Sequence, residues 1–372
     1  MTYFREFNPN TLRGKKVTII GGAGFLAREL VKQLLEIGCL VVVADIHPAV
    51  NSNELPQMLL CHKNEFSSKQ LTLSFIDVTQ PKTFCNIPNN TAKIVIMTAY
   101  FKFWPIDMKK SWEINVDGTK NILEYCLNHD NVDTVLYYSS IEAIGSKKQR
   151  AHLPGAKEHE RPNPRELKGC PYKMTKTVAH KIAEDFSFLF QERNKKIILR
   201  APPTAFGPGM ENVPTGNIMT KHRGLIKWIS PKTILSCANT RDIARDDVLM
   251  LTGNGRIKNG KTYVSVGFHA SIPEILKAKE KFTRIKAPKF ILPNFTLLSI
   301  AYLMEINGKI DKRYQPEMTR EQAIRTTQDH FYDTVFTRDA LELSQKDYLG
   351  LEETIEHTSK YLIHQGIIPN LI

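Results

Sequence analysis

The chain has 372 residues, of which 42% are hydrophobic, 9% aromatic and 24% charged, with twenty Gly and twenty Pro in no periodic arrangement. That composition excludes a disordered, low-complexity or collagen-like chain, and the length suits one large α/β domain with an appended lobe. A formal net charge of +13 raises nucleic acid as a partner, but the basic residues are spread along the chain and no recognised nucleic-acid module appears, so no nucleic-acid binding is expected.

The N-terminal stretch MTYFREFNPNTLRGKK has no apolar core and carries an acidic residue, so no secretory signal is read there. No window is apolar for long enough to suggest a buried spanning helix. Short apolar, β-branched runs then alternate with helical stretches: Val17–Ile20, Leu40–Ala44, Leu71–Ile76, Ile94–Met97, Thr134–Tyr138 and Ile197–Leu199. Continuous apolar runs imply strands buried on both faces, and helical connections make them parallel. The expected fold class is therefore α/β: a doubly wound parallel sheet of the Rossmann kind with a smaller C-terminal lobe. The expected division is a dinucleotide-binding domain over 1–200, with returns to its sheet from about 230–267, and a lobe of mainly substrate-binding residues over 201–372. The polar segment from Gly145 to Pro171 reads as an exposed loop. The six cysteines (Cys39, Cys61, Cys85, Cys126, Cys170, Cys237) are scattered, without a C-x-x-C pair. They read as buried thiols of a reducing, cytoplasmic compartment, not as a disulfide frame or a metal site.

Directly after the first run stands Gly21-Gly22-Ala23-Gly24-Phe25-Leu26-Ala27, followed by an apolar helical stretch. Gly21 allows the tight turn, Gly24 lets the backbone approach a pyrophosphate at the helix N-terminus, and Ala27 stands where a third Gly usually packs helix on strand. Asp45 ends the second run, where an acidic side chain can hold both ribose hydroxyls of a dinucleotide. A carboxylate there repels a 2′-phosphate, and Ile46-His47 supplies no Arg to receive one, which favours NAD over NADP.

Tyr172 and Lys176 open a helix behind Pro171, and their i, i+4 spacing places them on one face. A phenol is a poor base at neutral pH, and a neighbouring ammonium is expected to lower its pKa. Ser139-Ser140 follow the fifth run, at the carboxyl edge of the sheet where a hydroxyl can donate to a substrate oxygen.

These residues resemble the extended short-chain dehydrogenases/reductases over nearly the whole chain. The likeness runs through Gly21–Ala27, Asp45, Phe75–Val78, Val95–Ala99, Asn115–Asn121, Tyr138–Gly145, Tyr172-x-x-x-Lys176 and Leu199–Gly209. The resemblance implies Tyr172 as general acid/base, with Lys176 holding the nicotinamide ribose and tuning Tyr172. It implies Ser140 polarising the substrate oxygen, with Ser139 the less favoured serine, and Asn115 supporting the proton relay. It also implies cofactor contacts from Gly21, Gly24, Phe25, Leu26 and Ala27, from Asp77 and Val78 to the adenine, from Thr98 and Ala99, and from Pro202 to the carboxamide. Within the family the serine motif, Leu199-Arg200-x-Pro202-Pro203 and the run Ile291–Ile306 look most similar to 3β-hydroxysteroid dehydrogenases and sterol-4-carboxylate 3-dehydrogenases. Departures are Ala27 for Gly, Ala143-Ile144 for a frequent aromatic residue, and Phe206 for a frequent Tyr.

The expected function is NAD-dependent interconversion of a secondary alcohol and a ketone on a bulky apolar substrate, steroid-, sterol- or terpenoid-like. Two alternatives stay open: a sugar-nucleotide epimerase/dehydratase, against which the Pro202-Pro203 turn argues, and a non-catalytic NAD-sensing regulator. The expected partner is a small apolar substrate, with a homodimer and peripheral membrane contact also considered. The latter rests on Lys277, Lys279, Lys281, Arg284, Lys286 and Lys289 running into the apolar stretch Phe290–Ile306, too short and interrupted to span a bilayer. The plainer reading, a pocket wall beside solvated lysines, is preferred.

Overall fold

The computed structural model describes residues 11–145, 155–220, 229–253 and 256–371. Most of the N-terminal stretch read for a secretory signal, and residues 146–154 of the predicted loop, lie outside them. The strands are, in chain order, β1 (Lys16–Ile20), β2 (Leu40–Asp45), β3 (Leu71–Phe75), β4 (Thr91–Ile96), β5 (Thr134–Tyr138), β6 (Lys196–Arg200), β7 (Thr204–Phe206), β8 (Ile229–Pro231), β9 (Ile234–Asn239), β10 (Thr262–Tyr263), β11 (Phe268–Ser271) and β12 (Phe290–Leu292). Seven form one sheet in the order β10-β6-β5-β4-β1-β2-β3, every neighbouring pair parallel. This is the doubly wound α/β fold read from the sequence, and all six predicted runs are strands within a residue or a few of their expected ends.

Alternation along β1 shows why the runs are apolar throughout. Val17 and Ile19 enter one core layer and Ile20 the other, so helices cover both faces. The helix Ala27–Ile37 stops at Gly38, whose φ of +92° a side chain rarely adopts. The strand order reverses between β1 and β4, so their carboxyl ends open the crevice where ligands bind in such sheets.

Beyond β6 the chain builds a smaller layer: β7, β9 and β11 form a three-stranded sheet and β8 pairs with β12. The helix Thr240–Leu251 follows β9, and β10 joins the edge of the main sheet beside β6. The helices Ile272–Thr283, Asn294–Ile310, Arg320–Thr326 and Leu351–His364 complete the chain.

Two expectations are corrected. The segment after Gly145 is not simply exposed. Ala156 is buried and bridges Tyr332, whose phenol donates to the Gly145 carbonyl at 2.5 Å, so the far lobe straps this segment down. Nor are all cysteines buried: Cys61 and Cys85 are exposed, on short helical turns outside the sheet.

Candidate active site

Gly21 has a φ of +82°, and a Cβ there would lie 2.8 Å from the Thr98 backbone nitrogen. Only glycine lets β1 pass this close to the end of β4. Ala23 N–H, inside the turn, donates to Asp45 Oδ2 at 3.0 Å, and His47 N–H donates to Oδ1 at 3.0 Å. A carboxylate has about four lone-pair sites, so Asp45 ties the turn to β2 and keeps capacity for a ribose diol. A nicotinamide dinucleotide fits this donor set: bare glycine backbone at a helix N-terminus, and a carboxylate at the end of the next strand.

The structure gathers most of the remaining residues into one cleft of about 250 Å³. Gly21, Gly24, Phe25, Leu26 and Ala27 line one end, and Ser140, Tyr172 and Lys176 the other, with Ala99 and Pro202 between. Asp45, Asp77, Val78 and Thr98 stand outside this lining. Asp77 caps its own turn, accepting from Thr79 N–H at 2.9 Å and Gln80 Nε2 at 2.8 Å, and Val78 is buried against Gly118. Asn115 is also absent from the cleft wall. It sits buried in a π turn, Glu113–Asp117, exchanging hydrogen bonds with the Tyr100 backbone (2.7 and 3.2 Å) and donating to Thr175 Oγ1 at 3.1 Å. It thus clamps the exit of β4 to the helix Pro171–Glu192.

The two serines differ in their partners. Ser139 Oγ lies 2.6 Å from His180 Nδ1, and His180 Nε2 lies 3.2 Å from Thr262 Oγ1, a closed buried chain. Ser140 caps the following turn, accepting from the Glu142 N–H at 3.2 Å, and its hydroxyl acts to lower the Tyr172 phenol. Both serines line the cleft with Tyr172, but Ser139 is engaged by His180 and Ser140 is the one that acts on the tyrosine.

The electrostatics correct a further expectation. Burial pushes the Tyr172 phenol up to about 12, while Arg325 and the Ser140 hydrogen bond pull against it. The Lys176 ammonium donates to the Tyr138 carbonyl at 2.7 Å, and burial brings it down to about 7. The i, i+4 spacing sets both residues on one face, but the lysine stem runs down to the sheet.

Arg325, from the helix Arg320–Thr326, had no signal in the sequence. Its guanidinium lies 5.7 Å from the Tyr172 ring centre, 5.5 Å from that of Phe101 and 5.1 Å from that of Phe103. Its Nε and Nη2 reach Glu142 Oε1 at 2.8 and 2.7 Å. Burial would push Glu142 up, but Arg325, His330 and Lys173 overcome it and hold the carboxyl near 2. Beyond Arg325 opens a second, apolar cavity of about 160 Å³, lined by Phe103, Leu235, Ile272, Leu276 and Leu297 among others. Ile141, Thr204, Thr215 and Arg325 border both spaces.

Residues 18–261 match the sequence profile of the 3-beta hydroxysteroid dehydrogenase/isomerase family. The chain belongs to that family. It is thereby an enzyme of the NAD-dependent dehydrogenase/reductase kind with the extended short-chain architecture. Similar proteins include a putative dihydroflavonol 4-reductase of Synechocystis sp. (26% identity, 77% of this chain and 78% of that one). Another is short-chain dehydrogenase/reductase family 42E member 1 of Bos taurus (24%; 91% and 86%). Among solved structures, that of gox2253 has the same fold, with a TM-score of 0.73 at 20% identity, covering 96% of this chain and all of that one. Among the described residues no cluster of His, Cys, Asp or Glu has the makings of a metal site, and no helix is long and apolar enough to cross a membrane.

Proposed function

We propose that this enzyme interconverts a secondary alcohol and a ketone on a bulky apolar ring substrate of steroid, sterol or terpenoid type, with NAD as its cofactor. The observation that carries the reading is the shared wall: Ile141, Thr204, Thr215 and Arg325 border both the apolar cavity and the cleft lined by Ser140 and Tyr172, which suits a ring system that extends from the cavity toward the two hydroxyls. NAD supplies the acceptor of the hydride that leaves the carbinol carbon. Tyr172 takes the alcohol proton on its phenolate oxygen and returns it in the reverse direction. Ser140 donates to the same oxygen as charge develops on it. Lys176 holds the nicotinamide ribose, Asn115 supports the relay by fixing the tyrosine helix, and Pro202 meets the carboxamide. Asp45 selects NAD by occupying the place a 2′-phosphate would need, with Asp77, Val78, Thr98 and Ala99 around the adenosine half. Residues 1–200 with returns over 230–267 form the cofactor domain, and 201–372 mainly the substrate lobe.

A thermal-shift panel with NAD plus steroids, sterols, terpenoids and UDP- or TDP-sugars tests this. An added shift from the apolar compounds only above that of NAD alone is the expected result; a shift from sugar nucleotides alone overturns it.

Leu297 makes the helix Asn294–Ile310 a wall of the cavity, while Leu298, Tyr302, Leu303, Ile306 and Ile310 of the same helix are exposed. Lys277, Lys281, Arg284, Lys286 and Lys289, just upstream, are exposed too, but Lys279 is buried and cannot share in a basic face. Peripheral contact with anionic lipid therefore predicts co-sedimentation with anionic vesicles that fails in high salt and on charge reversal of Lys277, Lys281 and Lys289. Equal indifference to neutral and anionic vesicles removes it. Light scattering distinguishes a homodimer from a single copy.

A further inference from the structure

Tyr172 stands in a crowded electrostatic setting. From the helix Arg320–Thr326 it is faced by Arg325 and by Glu321, whose Oε1 accepts from the Tyr172 N–H at 3.1 Å. From the turn after β5 it is faced by Ser140 and Glu142, and beneath it lie Tyr137 of β5 and Lys176 of its own helix. Lys173, the next residue, is engaged elsewhere: its ammonium donates to Glu166 at 3.1 Å and lies 3.9 Å from Glu142. Burial brings Glu321 up to about 7 and Lys176 down to about 7, so the charge of each depends on pH. A guanidinium stays charged throughout. Arg325 is thus the cation whose charge at Tyr172 does not vary with pH.

Its position is also fixed. Glu142 receives Nε and Nη2 on one oxygen. The rings of Phe101, Phe103 and Tyr172 surround the guanidinium, with Phe101 and Tyr172 themselves 4.5 Å apart. Glu142 belongs to the turn that Ser140 caps. The pair therefore links the substrate lobe to the serine and the tyrosine of the cofactor domain.

We propose that Arg325 is a positioning residue for the acid/base tyrosine: aligned by Glu142 against the Tyr172 ring, its guanidinium supplies the fixed positive charge that favours the phenolate. The proposal rests on the reading of Tyr172 as acid/base, and it adds a cation from the C-terminal lobe to the lysine four residues on. It also separates the two partners by sign. Arg325 favours the phenolate and Glu142 opposes it, so removing either changes the contacts alike but shifts the tyrosine in opposite directions.

The test is the pH profile of kcat/KM for oxidation of a 3β-hydroxysteroid by the NAD-saturated full chain. Arg325→Met is expected to move the rising limb up by about one pH unit, as removal of a close opposite charge does. This costs about tenfold in rate on that limb and leaves the KM for NAD unchanged. Arg325→Lys restores much of the shift, and Glu142→Gln moves the limb the other way. A pH titration of phenolate absorbance, taken as the difference from Tyr172→Phe, follows the same order without substrate. An unchanged limb in Arg325→Met, or shifts of the same sign in Arg325→Met and Glu142→Gln, overturns the proposal. If Arg325→Met does not fold, the opposite shift in Glu142→Gln with a wild-type-like Arg325→Lys decides it. Tyr172→Phe serves as the control: retained turnover there sinks the acid/base reading itself, whereas lost turnover with an unmoved Arg325 profile sinks only this inference.

Discussion

The two adjoining spaces of this enzyme are built in opposite ways. The cofactor cleft is assembled largely from short stretches at the carboxyl ends of sheet strands: Gly21–Ala27 after β1 and Ser139-Ser140 after β5, with Asp45 at the end of β2 holding the first turn. The apolar cavity draws single residues from far-separated elements, Phe103, Leu235, Leu276, Leu297 and Arg325 among them. Local construction allows a motif to be read; dispersed construction hides each contributor inside an ordinary amphipathic pattern. The chemistry of the proposed reaction lies in the first space and the choice of substrate in the second.

The largest expected effect breaks the first space alone. Tyr172→Phe should lower turnover by about 10²–10⁴-fold, the usual worth of a positioned acid/base group, while NAD affinity measured by calorimetry stays near wild type. Retention of most of the activity would show that the cleft does not work through this phenol.

A smaller, paired effect separates the spaces. Leu276→Trp projects bulk into the apolar cavity and should raise the KM for a bulky ring substrate about tenfold, leaving NAD binding alone, since overpacking costs roughly 1–3 kcal/mol. Asp45→Ala should do the reverse, shrinking the preference for NAD over NADP in kcat/KM by about tenfold, the value of a hydrogen bond to a charged group, and leaving the substrate KM in place. Crossed results, with Leu276→Trp altering the cofactor preference, would mean the two spaces are one.

What the sequence made legible follows this division. The sheet was legible because strands buried on both faces must be continuously apolar, and its parallel pairing followed from helical connections. The glycine turn and Asp45 were legible because backbone geometry restricts the residue types there. Tyr172 and Lys176 were legible as a pair, but not the direction in which Lys176 points, because i, i+4 spacing fixes a face and not the path of a long flexible stem. Arg325 was not legible at all: REQAIRT reads as an amphipathic helix with a charged outer face, and only the tertiary fold brings its arginine to the tyrosine. Ala156 was hidden likewise, since its burial depends on Tyr332 of the far lobe.

The last effect concerns stability. Lys176 has a folded pKa of about 7, well below the usual lysine value near 10.4. Between those values the unfolded chain binds the extra proton, so this residue makes the cofactor-free protein more stable as pH rises from about 7 toward 10. Urea unfolding at several pH values should show this rise in wild type and a flatter slope in Lys176→Met. Identical slopes would indicate that Lys176 is not buried without a counter-charge.

In the proposed reaction hydride passes between NAD and a carbon of an apolar ring substrate held beside Tyr172. Its most direct measurement uses NADH carrying deuterium at the transferred position, with mass spectrometry of steroid, sterol and terpenoid ketones after incubation. One deuterium is expected on the new carbinol carbon of at least one such ketone, and its loss in Tyr172→Phe. No deuterium in any apolar ketone, with a UDP- or TDP-sugar converted instead, would contradict it.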